Sequence, residues 1–263
     1  MALKEPPAYV EGHNLLTGKS VLITAAAGAG IGFAAATRAV EEGCRGLTIS
    51  DAHAGRLNKA VAQLRNNHPE IPVFGQLCDV TNESDVQLLI KKAEEQHSGI
   101  DVLINNAGLG GTCKLVEMPD KQWSKILDIT LTGTMRMMRA ILPLMQARKS
   151  GVIINNASVL GWRAQQGQTH YAAAKAGVMA LTRCAAMEAA DYKVRINAVS
   201  PSIAFHEFLK KTTPMELLEE LAGKEAFGRA AEVWEVANVM MFLASDYSSY
   251  MTGEIVSVSS QRA

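Results

Sequence analysis

Short apolar runs and amphipathic stretches alternate along the chain from about residue 20 to residue 259. The runs SVLIT (20–24), GLTIS (46–50), VFGQLCDV (73–80), DVLINNA (101–107), GVIINNA (151–157), VRINAVS (194–200) and EIVSVS (254–259) read as strands, being short and rich in β-branched residues. Helical spacing occupies 31–42, 55–67, 83–97, 120–147, 170–190 and 232–245. Strands separated by helices predict a parallel sheet, because parallel neighbours need a crossover between them. The unbroken apolar character of several runs predicts burial on both faces, so helices should cover the sheet on each side.

Residues 1–17 precede the first run and read as an N-terminal extension, with one α/β domain over 18–263. Within it, residues 201–231 (PSIAFHEFLKKTTPMELLEELAGKEAFGRA and the residue after it) break the rhythm with a polar, partly helical insertion. It falls between the last two strands, where a substrate loop can sit; a surface helix pair with no ligand role fits the spacing equally well.

Composition narrows the function classes. The 263 residues carry 26 basic and 26 acidic side chains, so no large field draws the chain to nucleic acid or to an anionic membrane. Aromatic residues make up 5% against 48% hydrophobic, which favours an aliphatic core over a base-stacking surface. The amino terminus lacks an uninterrupted apolar segment, and no run approaches the ~20 residues that span a bilayer. Cys44, Cys78, Cys113 and Cys184 are widely spaced, which suits buried free thiols in a reducing cytoplasm; no metal-ligand spacing occurs.

The candidate chemistry lies at strand ends. TAAAGAGIG (24–32) carries Gly28, Gly30 and Gly32 between the first strand and the first helix. Such a turn brings backbone N–H groups and a helix amino terminus close to a pyrophosphate, although tight packing alone also selects small residues. Asp51 follows the second strand, where a carboxylate accepts hydrogen bonds from the hydroxyls of an adenosine ribose and repels a 2′-phosphate. No arginine or lysine follows it before Arg56, so NAD is expected over NADP; capping of a turn or of the next helix is the other reading of Asp51. Asp79-Val80 and Asn105-Asn106-Ala107-Gly108 place further polar groups at the ends of the third and fourth strands. Tyr171 and Lys175 stand four apart on one helical face, thirteen residues or more beyond Ser158 at the end of the fifth strand. A tyrosine used as a base needs nearby positive charge, which Lys175 can supply, while a serine hydroxyl holds the substrate oxygen.

Taken together, the glycine turn, Asp79-Val80, the NNAG run, Ser158, Tyr171, Lys175 and RINAVSP (195–201) resemble the short-chain dehydrogenase/reductases over roughly residues 18–259. The resemblance implies a single Rossmann-type domain with a seven-stranded doubly wound sheet, hydride transfer at the nicotinamide, and a homotetramer. It implies a dinucleotide site at Gly28, Gly30, Ile31, Gly32, Asp51, Asp79, Val80, Asn106, Ala107, Gly108, Tyr171, Lys175, Pro201 and Ile203, with Ser158 and Tyr171 at the substrate oxygen.

Several positions depart from the family's pattern. Ala25 stands where glycine is usual, and Thr24 lies one residue farther from Gly30. Thr130 aligns with the asparagine that completes the family's proton path, which puts that relay in doubt. Ser202 replaces a glycine and His206 a threonine; His206 either meets substrate or is a cap or surface histidine. Lys210 and Lys211 either attract a phosphate of coenzyme A or lie on a solvated face. The methionine-rich stretch at 135–145 reads as core or subunit contact. TAAAGAGIG, SPSIAFHEFL and VSVSSQRA carry a narrower resemblance, to actinobacterial dehydrogenases that oxidise a ring hydroxyl of indane-type propionyl-CoA intermediates of sterol ring C and D degradation. The expectation is an NAD-dependent secondary-alcohol dehydrogenase; the alternatives are a 3-oxoacyl-thioester reductase and a nucleotide-binding scaffold without turnover.

Overall fold

The computed structural model describes residues 5–206, 209 and 215–260. Seven strands, β1 (Ser20–Ile23), β2 (Gly46–Asp51), β3 (Val73–Leu77), β4 (Val102–Asn105), β5 (Gly151–Asn156), β6 (Val194–Pro201) and β9 (Ile255–Val258), form one parallel sheet in the order β3-β2-β1-β4-β5-β6-β9. Six helices cross between them: α1 (Ile31–Glu41), α2 (Ala54–Asn67), α3 (Glu83–His97), α4 (Asp120–Leu127), α5 (Gly133–Arg148) and α6 (Thr169–Ala189). The expected α/β architecture, with helices on both faces, is present.

Period-two alternation on the buried strands divides the interior. Val21, Ile23, Val102, Ile104, Val152 and Ile154 point into one core, with α1 and α2. Leu22, Leu103 and Ile153 point into the other, with α3, α5 and α6. The methionine-rich stretch belongs to this second core through Met137, Met138 and Met145.

The late insertion forms a two-residue strand β7 (Ala204–Phe205), a helix α7 (Met215–Lys224) and a strand β8 (Ala231–Glu232) paired parallel to β7. The helix α8 (Val233–Ala244) then returns to the first core. Lys210 and Lys211 lie outside the described residues.

The N-terminal extension is strapped onto α1. Leu16 is fully buried in the first core, and Thr17 bridges Cys44. The Glu42 carboxylate accepts the His13 and Leu15 backbone N–H groups and pairs with the buried Arg38. Tyr9 donates to Glu41 and meets Trp234 edge-on at 5.2 Å between ring centres. The thiols are not uniformly buried: Cys44 and Cys78 are, and burial pushes both up to about 12, whereas Cys113 is half-buried and Cys184 exposed on α6.

Candidate active site

The carboxyl ends of β1, β2, β4, β5 and β6 lie along one edge of the sheet, and strand order reverses between β1 and β4, where a parallel sheet opens a crevice. The glycine turn fills the β1 side of it. Gly28 has φ +129°, a conformation open to glycine, and a Cβ there would meet nothing within 4 Å. Gly30 precedes α1, whose amino terminus has no side-chain cap and no acidic residue in its first turn. Gly32 sits where helix and strand touch, since a Cβ there would fall 2.3 Å from Asn106 Nδ2 and 2.5 Å from the Ala25 carbonyl. Ile31 packs against the first core. Ala25, at the position usual for glycine, holds φ +49°.

Hydrogen bonds tie this turn to the NNAG segment. Thr24 Oγ1 accepts from the backbone N–H groups of Asn106 and Ala107 at 3.0 and 3.1 Å. Asn106 Nδ2 donates to the Ala25 carbonyl at 3.0 Å, and its Oδ1 accepts from Asn156 Nδ2 at 2.9 Å. Asn105 Nδ2 donates to Asn155 Oδ1, whose own amide donates to Thr182. The pairings follow from the register, with Asn105 opposite Asn155 on adjacent parallel strands. Asn155 and Asn156 were not among the expected site residues. The repeated INNA at 104–107 and 154–157 is the signal that would have found them.

Asp51 ends β2 with its carboxylate buried; Oδ1 accepts from the His53 backbone N–H at 2.9 Å and from Arg56 at 3.0 Å. Asp79 and Val80 lie beyond the end of β3 at Leu77, in the turn before α3. Asp79 Oδ1 accepts the Thr81 backbone and side-chain donors, and Val80 is buried against α5.

On the β5 side, Ser158 follows the strand and its Oγ accepts from the Leu160 N–H at 3.3 Å, capping a short 3₁₀ turn. Tyr171 occupies the first turn of α6, and Lys175 follows one turn later with its Nζ 5.6 Å from the centre of the tyrosine ring. The ammonium is buried and donates to the Asn156 carbonyl. Burial lowers Lys175 to about 8 and raises Tyr171, with a Ser158 hydrogen bond working the other way on the tyrosine. A Cβ on Gly108 would lie 3.4 Å from Lys175 Nζ, so glycine allows the β4 loop to close over the lysine.

Thr130 lies in a π-helical turn, Asp128–Thr132, that joins α4 to α5. Its hydroxyl is committed to the β4 loop, accepting the Leu109 N–H at 3.1 Å and facing the Leu109 carbonyl at 3.4 Å. The Thr130 carbonyl accepts from Thr134 Oγ1 at 2.9 Å. Pro201 ends β6 beside Val258, and the Ile203 carbonyl accepts from the Ala231 N–H at 2.9 Å. The ring of His206 stands beside the glycine turn, its Nδ1 3.9 Å from where a Cβ on Gly30 would lie, and burial lowers its pKa.

The donor set suits a dinucleotide. The uncapped α1 terminus and the open glycines suit a diphosphate, and Asp51 Oδ2 accepts no hydrogen bond among the described residues. Asn156 Oδ1, buried next to the lysine's anchor, likewise has no partner.

Residues 25–260 match the family described as enoyl-(acyl carrier protein) reductase. The chain is 55% identical over 268 residues to a hydroxy-methyl-oxo-hexahydroindene-carboxyl-CoA reductase of Mycobacterium tuberculosis, with 99% of each covered. It is 33% identical over 243 residues to a 3-oxoacyl-[acyl-carrier-protein] reductase of Thermotoga maritima, covering 92% of this chain and 97% of the relative. A short-chain dehydrogenase from Mycobacterium smegmatis, known from its crystal structure, superposes with a TM-score of 0.88 at 53% identity, with 100% of both chains covered.

Proposed function

The chain belongs to the short-chain dehydrogenase/reductase family of NAD(P)-dependent oxidoreductases, and on that premise we propose that it uses NAD to interconvert a ring hydroxyl and ketone on a steroid-derived, indene-type CoA thioester. The observation that carries the reading is the grouping of Tyr171 with Ser158 and with the buried Lys175, at the crevice that also holds the glycine turn.

Ser158 would hold the substrate oxygen. Tyr171 would take the hydroxyl proton during oxidation and return it during reduction. Lys175, charged when the site is in use, would lower the tyrosine's pKa by proximity and donate to a ribose. A bound nicotinamide would supply the hydride acceptor for this oxidation. Gly28 and Gly30 would admit its diphosphate to the α1 terminus, Asp51 would accept from the adenosine ribose, and His206, beside Gly30, would flank the diphosphate rather than the substrate. Thr130 would hold the β4 loop rather than supply an amide to a proton path.

The substrate class rests on the mycobacterial relative named for such a thioester. A 3-oxoacyl-thioester reductase is the second reading, supported by the Thermotoga relative, and would use the same residues on a linear chain. A homotetramer in the cytoplasm is the assembly and location proposed. Tyr171→Phe tests the chemistry: turnover should fall by roughly a thousandfold or more while NADH affinity stays within about threefold. Equal loss of both would remove the catalytic assignment. A substrate panel of indene-type CoA thioesters, 3-hydroxyacyl-CoA and simple secondary alcohols separates the two substrate readings by kcat/KM.

A further inference from the structure

Asp51 shares its carboxylate. Arg56 reaches back from the first turn of α2 and donates to Oδ1 at 3.0 Å, and the Asp51 side chain is 6% exposed against 53% for Arg56. The arginine backbone is fixed, since its N–H donates to His53 Nδ1 at 3.2 Å. Among the described residues, the guanidinium itself is held only by Asp51. A buried acid at the carboxyl end of β2 thus carries a solvent-accessible cation on one side and has Oδ2 still able to accept.

We propose that Arg56 is a specificity-determining residue that weakens the preference of this protein for NAD, by offsetting the repulsion between Asp51 and an adenosine 2′-phosphate. The inference rests on the reading that Asp51 faces the adenosine ribose. With NAD, Oδ2 accepts a ribose hydroxyl while Arg56 stays on Oδ1. With NADP, the same guanidinium leaves the carboxylate and takes the added phosphate, whose planar bidentate recognition suits arginine better than lysine. A lone carboxylate would exclude the phosphate, whereas this pair presents it with little net charge.

Fluorescence titration of the full chain with NADH and with NADPH tests this without turnover. Arg56→Ala should leave NADH affinity within about twofold and weaken NADPH by roughly tenfold, the scale of one partly exposed charge-assisted contact. Arg56→Lys should restore part of that loss, and raised salt should shrink the difference between native protein and Arg56→Ala. Asp51→Ala should weaken NADH and narrow or reverse the preference. If Asp51→Ala leaves NADH binding unchanged, the ribose is not held at Asp51 and the cofactor reading itself fails. If Asp51→Ala weakens NADH but Arg56→Ala moves the NADPH-to-NADH ratio by less than about twofold, the cofactor reading stands and the role given to Arg56 is wrong. Circular dichroism and melting of each variant identify any that fail to fold, and Arg56→Gln, which keeps the stem and removes the charge, then replaces Arg56→Ala.

Discussion

Replacing Lys175 with Met should make the protein more stable while ending turnover. Lys175 is 3% exposed, and burial draws its ammonium down from 10.5 to about 8. At about 1.4 kcal/mol for each tenfold change in proton affinity, the depression corresponds to roughly 3 kcal/mol charged against the folded state at neutral pH. The hydrogen bond from Nζ to the Asn156 carbonyl offsets about 1 kcal/mol of this, leaving a gain of about 2 kcal/mol for an unbranched apolar side chain of similar length. For a chain of this size that is a rise in Tm of about 4–8 °C. The pH dependence has a definite sign. Below about 8 the lysine is charged in folded and unfolded chains alike, and the penalty is complete. Between about 8 and 10.5 the folded chain releases its proton first, so native stability rises with pH and the advantage of the variant shrinks. Urea unfolding of both proteins at neutral pH and near pH 10, at one protein concentration and without cofactor, measures the gap. A variant no more stable than the native protein at neutral pH, or a gap that does not narrow on the alkaline side, would refute the reasoning.

Three further substitutions test the site and its support. Ala25→Gly should stabilise by about 0.5–1 kcal/mol, because the left-handed conformation costs alanine about 1–2 kcal/mol and glycine's unfolded-state entropy returns only part of that; a lowered melting temperature contradicts it. Gly32→Ala should abolish NADH binding in a fluorescence titration, since its Cβ would collide with both Asn106 and the Ala25 carbonyl; retained affinity would show that the turn can yield. Glu42→Ala should destabilise by about 2–4 kcal/mol in urea unfolding, because it removes the buried carboxylate partner of Arg38, which keeps Glu41 and the Val10 carbonyl, and leaves two strap N–H groups without their acceptor; a change below about 1 kcal/mol would mean the strap adds little.

Much of this arrangement was legible in the chain because it is written in local periodicity. The seven runs and six helical stretches all appear, and their alternation dictated the parallel sheet. What escaped depends on contacts between distant segments. The 120–147 stretch reads as one helix, yet a π turn divides it, because Thr130 bonds to Leu109 across the fold. The third strand stops at Leu77, and the exposed Asp79 carboxylate accepts from Thr81 to form the turn before α3, although the apolar run continues to Val80. His206 stands beside Gly30, about 175 residues earlier, and spacing along the chain carries no trace of that approach. Arg56 is the first arginine or lysine after Asp51, five residues on, and the strand end with one helical turn brings the two groups to 3.0 Å, a contact that spacing alone does not show. The N-terminal strap has no periodic signal, since it is held by backbone donors on one buried glutamate.

The two INNA segments explain how a site assembled from such scattered parts stays in register. Parallel pairing of β4 with β5 sets Asn105 beside Asn155, and the next residues repeat the link from Asn106 to Asn156. From Asn106 the chain of contacts passes to the Ala25 carbonyl in the glycine turn, and from the Asn156 carbonyl it passes to Lys175. The groups it joins are each unfavourable alone: an alanine in the left-handed region, a desolvated ammonium, and buried amide oxygens at Asn105 and Asn156 without partners. Such features persist only where surrounding structure over-determines them, which the two aliphatic cores on either side of these strands provide. Because the same strands anchor both the turn and the lysine, a shift of either strand would displace both together. The cofactor-side loop and the proton-handling residues are therefore one mechanical unit, although about 150 residues of sequence separate Ala25 from Lys175.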